Sequence, residues 1–136
     1  KKLLILRISN LIGKIYNNDQ NRKISKTFIY NFYKLKKKKI IYYENHFKDF
    51  LSTKQFSHIF FKILQKNLNG IYNVSLGKKV YISELLYALT KFNKNKKCVQ
   101  IPIQKNDSFY LNNKKLLKKI KIKLLKKDLL NYCYKI

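Results

Sequence analysis

The stretch Lys48-Asp49-Phe50-Leu51-Ser52-Thr53-Lys54-Gln55, followed by Gly70-Ile71-Tyr72-Asn73-Val74-Ser75-Leu76-Gly77, decides how this chain is read. Ser52 with Gln55 fits a capping box, in which a serine hydroxyl and a glutamine amide satisfy the orphan amides at a helix start. Phe56, Ile59, Phe60, Ile63 and Leu64 then recur at helical spacing and predict one apolar face. Asn67 to Gly70 ends the helix, with glycine expected as its left-handed terminator. Ile71 to Ser75 follows as a strand, Leu76-Gly77-Lys78 as a tight turn, and Ser83 as the expected N-cap of a second helix carrying Leu85, Leu86, Leu89 and Phe92. With Ile40 to Tyr43 as a short strand ahead of it, this is a βαβα unit that presents a polar loop, Glu44 to Lys48.

Outward from that unit, Leu3 to Ile8 is an apolar run broken only by Arg7, the pattern of a strand buried on both faces of a parallel sheet. Such a strand needs neighbours, and few other segments of the chain could flank it. Ser9-Asn10-Leu11-Ile12-Gly13 leaves its C-terminal end, where open α/β sheets bind ligands. A helix is expected from Arg22 to Leu35, an edge strand from Cys98 to Ile103 because of Pro102, and two short helices over Asn112–Ile120 and Lys126–Tyr134. The strict alternation in Ile120-Lys121-Ile122-Lys123-Leu124 interrupts what would otherwise be one basic amphipathic helix.

The composition bounds the function. At 136 residues the chain is one domain or less, and 46% hydrophobic with 15% aromatic content is ample for a packed core. The sequence contains no methionine, which points to a fragment or a processed product. The net charge of +26 attracts polyanions, so a standalone lysine-rich nucleic-acid-binding module is the alternative reading. Almost all of that charge is lysine, however, and arginine is the residue of bidentate base and phosphate recognition. The abundance of Ile, Asn, Tyr and Phe beside the single alanine, Ala88, reads as codon bias rather than selection for nucleic acid.

No apolar run reaches the roughly 18–20 residues of a membrane span, so no membrane association is expected. Arg7 cuts the leading apolar segment too short for a signal peptide. Cys98 and Cys133 stand alone, as reduced thiols of a cytoplasmic protein do, with no metal-ligand spacing. His46 lies in the polar loop and His58 beside the apolar helix face. The six acids are dispersed, no nucleophile signature occurs, and Gly13, Gly70 and Gly77 are too isolated to form a phosphate loop. No catalytic and no metal-binding residue is nominated.

Taken in order, five segments resemble those of the extended short-chain dehydrogenases/reductases that act on nucleotide sugars, the NAD-dependent epimerase/dehydratase group that includes dTDP-4-dehydrorhamnose reductase-like members. Arg7-Ile8-Ser9-Asn10-Leu11-Ile12-Gly13 resembles their Arg-x-Ser-Asn-x-x-Gly segment, and Lys48-Asp49-Phe50-Leu51 their Arg-Asp-Phe-(Ile/Val) motif. Gly70 to Gly77 is similar to Gly-x-Tyr-Asn-Val-Gly-x-Gly, Ser83-Glu84-Leu85 to the helix start that follows, and Asn112 to Leu116 to Asp-x-x-Lys-x. The resemblance implies an α/β fold, the C-terminal part of an extended Rossmann-type fold. Residues 1–136 would then be a single substrate-binding portion lacking the dinucleotide-binding part.

In the family the glycine motif, the catalytic Ser and the Tyr-x-x-x-Lys pair precede the Arg-x-Ser-Asn strand. The matches starting at Tyr30, Tyr33, Tyr87 and Tyr110 all follow it and are rejected as catalytic. The implied function is the sugar-nucleotide-binding half of an NAD(P)-dependent epimerase, dehydratase or reductase, a fragment inactive alone. NAD(P) would belong to the intact enzyme and none is expected on this chain by itself. The implied partner is a nucleotide-sugar substrate, in an intact enzyme compatible with a homodimer. Carried over by position, Asn10 contacts substrate or lines the nicotinamide end of the cleft, Lys48 stands where an arginine binds the diphosphate, and Asp49 orients the loop. Tyr72 and Asn73 are structural. Lysine at 48 keeps the charge but loses the bidentate fork, and Asn112 replaces an aspartate.

Overall fold

The computed structural model describes residues 3–13, 39–90, 97–102 and 107–136. The helix expected over Arg22–Leu35, and the side chains of Phe92 and Ile103, lie outside them. The described elements are β1 (Leu4–Ile8), β2 (Asn10–Ile12), β3 (Lys39–Tyr43), β4 (Phe47–Lys48), β5 (Phe50–Ser52), α1 (Thr53–Gln65), β6 (Gly70–Val74), β7 (Val80–Tyr81), α2 (Ile82–Thr90), β8 (Lys97–Ile101), α3 (Lys114–Ile120) and α4 (Lys126–Cys133).

The strands associate in pairs. Parallel pairing joins β1 to β6, with Ile5 opposite Ile71 and Ile8 opposite Val74, and the intervening α1 supplies the crossover that parallel neighbours require. Parallel pairing also joins β2 to β5 and β3 to β8, while β4 and β7 run antiparallel. The mixed α/β architecture matches the expectation. The short pairs β2–β5 and β4–β7 were not foreseen, and the second of them turns the end of the expected polar loop, Phe47-Lys48, into a strand.

The capping box forms as expected. Ser52 Oγ accepts from the Gln55 amide at 3.1 Å, and Gln55 Oε1 accepts from the Ser52 amide at 3.1 Å. The other end of α1 differs, because Asn67 takes the left-handed conformation at φ 45 and Gly70, at φ 101, opens β6 instead. An asparagine tolerates that region because its short polar side chain bonds locally. Ser83 is not an N-cap. It sits inside α2, which begins at Ile82, and Glu84 Oε2 accepts from the Tyr81 amide at 3.0 Å to satisfy that helix start. The same carboxylate meets Lys126 Nζ at 2.6 Å, tying the start of α4 to that of α2.

Two apolar expectations are corrected. Leu4 and Leu6 pack toward the core, but Ile5 and Ile8 are exposed, so β1 is covered on one face rather than both. On α1, Ile59 and Ile63 are buried and Phe56 partly so, while Phe60 and Leu64 are exposed. Only one stripe of a wide apolar face meets the core. That core joins α1 (Ile59, Ile63), β6 (Tyr72, Val74), α2 (Leu85, Leu86), α3 (Leu116, Ile120) and α4 (Leu129, Cys133). Among the described residues no helix is long and apolar enough to cross a membrane.

Candidate functional site

Asp49 organises the site. Its side chain is fully buried between β4 and β5, and its carboxylate accepts three backbone amides. Oδ1 takes Leu76 at 2.9 Å, and Oδ2 takes Gly77 at 3.0 Å and Leu111 at 3.1 Å. Its carbonyl oxygen accepts both the backbone amide of Asn10 at 3.3 Å and Asn10 Nδ2 at 3.0 Å. One residue therefore ties the end of β1, the turn after β6 and the segment before α3 to the same point. Burial raises the Asp49 carboxyl above the usual carboxylate range, against the opposing pull of the Leu111, Leu76 and Gly77 amides. Gly77 makes the approach feasible. It adopts φ +69, and the Asn113 side chain occupies the space a Cβ would need.

Held by this latch, Asn10 and Lys48 reach one cavity of about 360 Å³, lined also by Ile41, Tyr42, Tyr43, His46, Phe50 and Ile82. Asn10 is exposed at the start of β2, where the chain leaves the C-terminal end of β1. Lys48 is held by the pairing of β4 with β7, opposite Val80. His46 precedes β4 in a turn where Asn45 is left-handed at φ 53, and its carbonyl accepts from the Ile82 amide at 2.9 Å.

The segment Asp107 to Phe109 lies outside that lining and touches it through His46 and Lys48. The Asp107 carboxylate spans the His46 imidazole and the Lys48 ammonium, with Oδ1 2.7 Å from His46 Nε2 and Oδ2 2.8 Å from Lys48 Nζ. The hydrogen bond from Lys48, aided by the Lys48 and His46 charges, holds the Asp107 carboxyl below its ordinary range. Ser108 Oγ accepts from the Phe47 amide at 3.2 Å, and Lys48 Nζ lies 5.8 Å from the centroid of the Phe109 ring. An ammonium, an imidazole and a carboxamide thus converge on a cavity with aromatic walls. That set suits a phosphate-bearing ligand with a planar or apolar body.

Of the expected site residues, Asn10 and Lys48 share the cavity, and Asp49 lies behind it rather than in its lining. His58 lines a different groove, with Lys54, Lys123 and Lys135. Asp107 and Asn113 were missed. Asn113 Nδ2 donates to the Ser75 carbonyl at 2.7 Å and fixes the turn after β6. The available signal was scarcity: with 6 acidic against 32 basic residues, each carboxylate has many suitors. Asp49, Glu84 and Asp107 all prove to be anchored.

No family model and no curated protein matches the sequence. Solved structures do match over nearly the whole chain. The UDP-N-acetylglucosamine 4-epimerase from Methanobrevibacter ruminantium M1, in complex with UDP-N-acetylmuramic acid, aligns at TM-score 0.67 and 20% identity over 98% of this chain and 44% of its own. The Bordetella bronchiseptica enzyme WbmG, in complex with NAD and UDP, aligns at TM-score 0.68 and 20% identity, covering 96% and 43%. The dTDP-glucose 4,6-dehydratase from Bacillus anthracis, in complex with NAD, aligns at TM-score 0.60 and 15% identity, covering 97% and 44%. The chain thus spans less than half the length of these structures, and it has the fold of the C-terminal part of the Rossmann-like extended short-chain dehydrogenase/reductase enzymes.

Proposed function

We propose that the chain is the sugar-nucleotide-binding half of an NAD(P)-dependent nucleotide-sugar epimerase, dehydratase or reductase. The observation that carries this reading is the convergence of Asn10 and Lys48, far apart in sequence, on one cavity beyond the C-terminal end of β1. Lys48 Nζ would meet the diphosphate as a point charge, and Asn10 would hydrogen-bond the sugar or the adjoining phosphate. The neighbours' bound UDP and UDP-sugar agree in ligand class with that chemistry.

The reading places the dinucleotide elsewhere, because no glycine among the described residues stands at a helix start. Gly13 packs against Thr53, Gly70 opens β6, and the Gly77 amide is committed to Asp49, so none forms a phosphate cradle at a helix start. The proposal accordingly leaves the cofactor and the hydride chemistry to the rest of the intact enzyme. The resemblance to dTDP-4-dehydrorhamnose reductase-like members supports dTDP- and UDP-sugars as the first ligands to try, and the proposed enzyme is a cytoplasmic one.

Calorimetric titration of the full chain with UDP-N-acetylglucosamine and dTDP-glucose tests the reading. We expect saturable binding of at least one, weakened about tenfold or more by Lys48→Met. An absence of binding to both, or binding indifferent to Lys48→Met, would overturn it.

A further inference from the structure

Lys48 does not face its cavity as a bare cation. The carboxylate that bridges it to His46 is the most exposed of the three groups, 59% against 26% for Lys48 and 19% for His46, so it stands on the solvent side of both. Two acceptors sharing one ammonium, each at hydrogen-bond distance, lie about 4–5 Å apart. An oxygen of any phosphate seated on Lys48 Nζ would therefore be a near neighbour of the Asp107 carboxylate. At that separation one extra unit of negative charge on the ligand costs roughly fivefold in affinity even at the dielectric of water.

Nucleotide ligands differ in just that respect. The diphosphate of a nucleotide sugar is a diester with one negative charge on each phosphorus. A free nucleoside diphosphate carries a terminal phosphate with close to one charge more, and a triphosphate more again. Resting on the diphosphate-clamp reading of Lys48, we propose that Asp107 is a specificity-determining residue that narrows the advantage a nucleotide with a terminal phosphate would otherwise hold over a diphosphate diester. The carboxylate offsets much of the Lys48 attraction, so the extra charge of the competitor gains less at this site than it would on a bare ammonium. This is selection by a repulsive element built beside the attractive one. Its consequence is a site at which free nucleoside diphosphate competes less strongly with the nucleotide sugar.

The test compares UDP with UDP-N-acetylglucosamine on the full chain at 150 mM salt, in the native sequence and in Asp107→Asn, Asp107→Glu and Lys48→Met. The nucleoside is common to both ligands, so any contact of Asp107 with ribose or base cancels in the ratio of their affinities. Asp107→Asn is expected to shift that ratio toward UDP by about fivefold. Asp107→Glu, which restores the charge, should return it toward the native value, and this shows that a shift seen with asparagine is not misfolding. An unchanged ratio in Asp107→Asn, with both ligands still weakened by Lys48→Met, overturns the selectivity while leaving the clamp intact. Binding of both ligands that ignores Lys48→Met overturns the clamp and the selectivity together.

Discussion

At the scale of single residues, Asp49 shows how a motif position acquires its physical meaning. The sequence places it beside Lys48 and the resemblance makes it an orienting residue. The structure adds the mechanism, a buried carboxylate receiving Leu76, Gly77 and Leu111 amides. Removing it leaves three amides with no acceptor, so Asp49→Ala should destabilise the fold by about 3–5 kcal/mol, read from the urea midpoint. Asp107 makes the opposite electrostatic case. Its carboxyl is held low by Lys48, so the folded state binds its proton less readily than the unfolded chain. Its stabilisation is present above the ordinary carboxylate value of 3.8 and is lost as pH falls through the lower folded value. The stability difference between the native chain and Asp107→Asn should be measurable at pH 6 and shrink progressively as the pH is lowered below 3.8. Cys133 is a third case, a thiol pushed up to about 12 by burial. A thiol reagent at pH 8 should label the exposed Cys98 in the folded protein and reach Cys133 only after denaturation.

At the scale of elements, legibility follows from whether the signal is local. The capping box of α1 depends on residues three apart, and it was readable from Ser52 and Gln55 alone. Ser52→Ala should cost on the order of 1 kcal/mol, with the helix otherwise retained by Ile59 and Ile63, as thermal unfolding with helix-sensitive circular dichroism would show. The helices α3 and α4 were equally readable from apolar spacing and the alternating break between them. The pairs β2–β5 and β4–β7 were not, since strands of two or three residues carry no period to detect. Their pairing comes from distant groups: the Asn10 amide reaching Asp49, and the Ile82 amide reaching His46. For the same reason Lys48 could be nominated from sequence, while its ion pair with a residue 59 positions away could not.

At the scale of the molecule, the apolar run Leu3 to Ile8 was read correctly as a parallel strand and incorrectly as one covered on both sides. Alternation along β1 sends Leu4 and Leu6 to the core and Ile5 to the other face, where register sets it beside Ile71 of β6. Parallel sheets ordinarily carry helices on both faces, and the solved structures that share this fold are more than twice as long. Ile5 and Ile71 remain 41% and 44% exposed, so their contribution to stability should be small although both are isoleucines in a sheet. The double variant Ile5→Thr/Ile71→Thr keeps β-branching and should cost less than about 1 kcal/mol, whereas Val74→Ala, at a fully buried position of the same sheet, should cost about 2 kcal/mol or more. Binding of an apolar dye should fall in the double variant and not in Val74→Ala. A double variant as unstable as Val74→Ala would mean that this face is covered in solution, and sedimentation would then reveal the associated species.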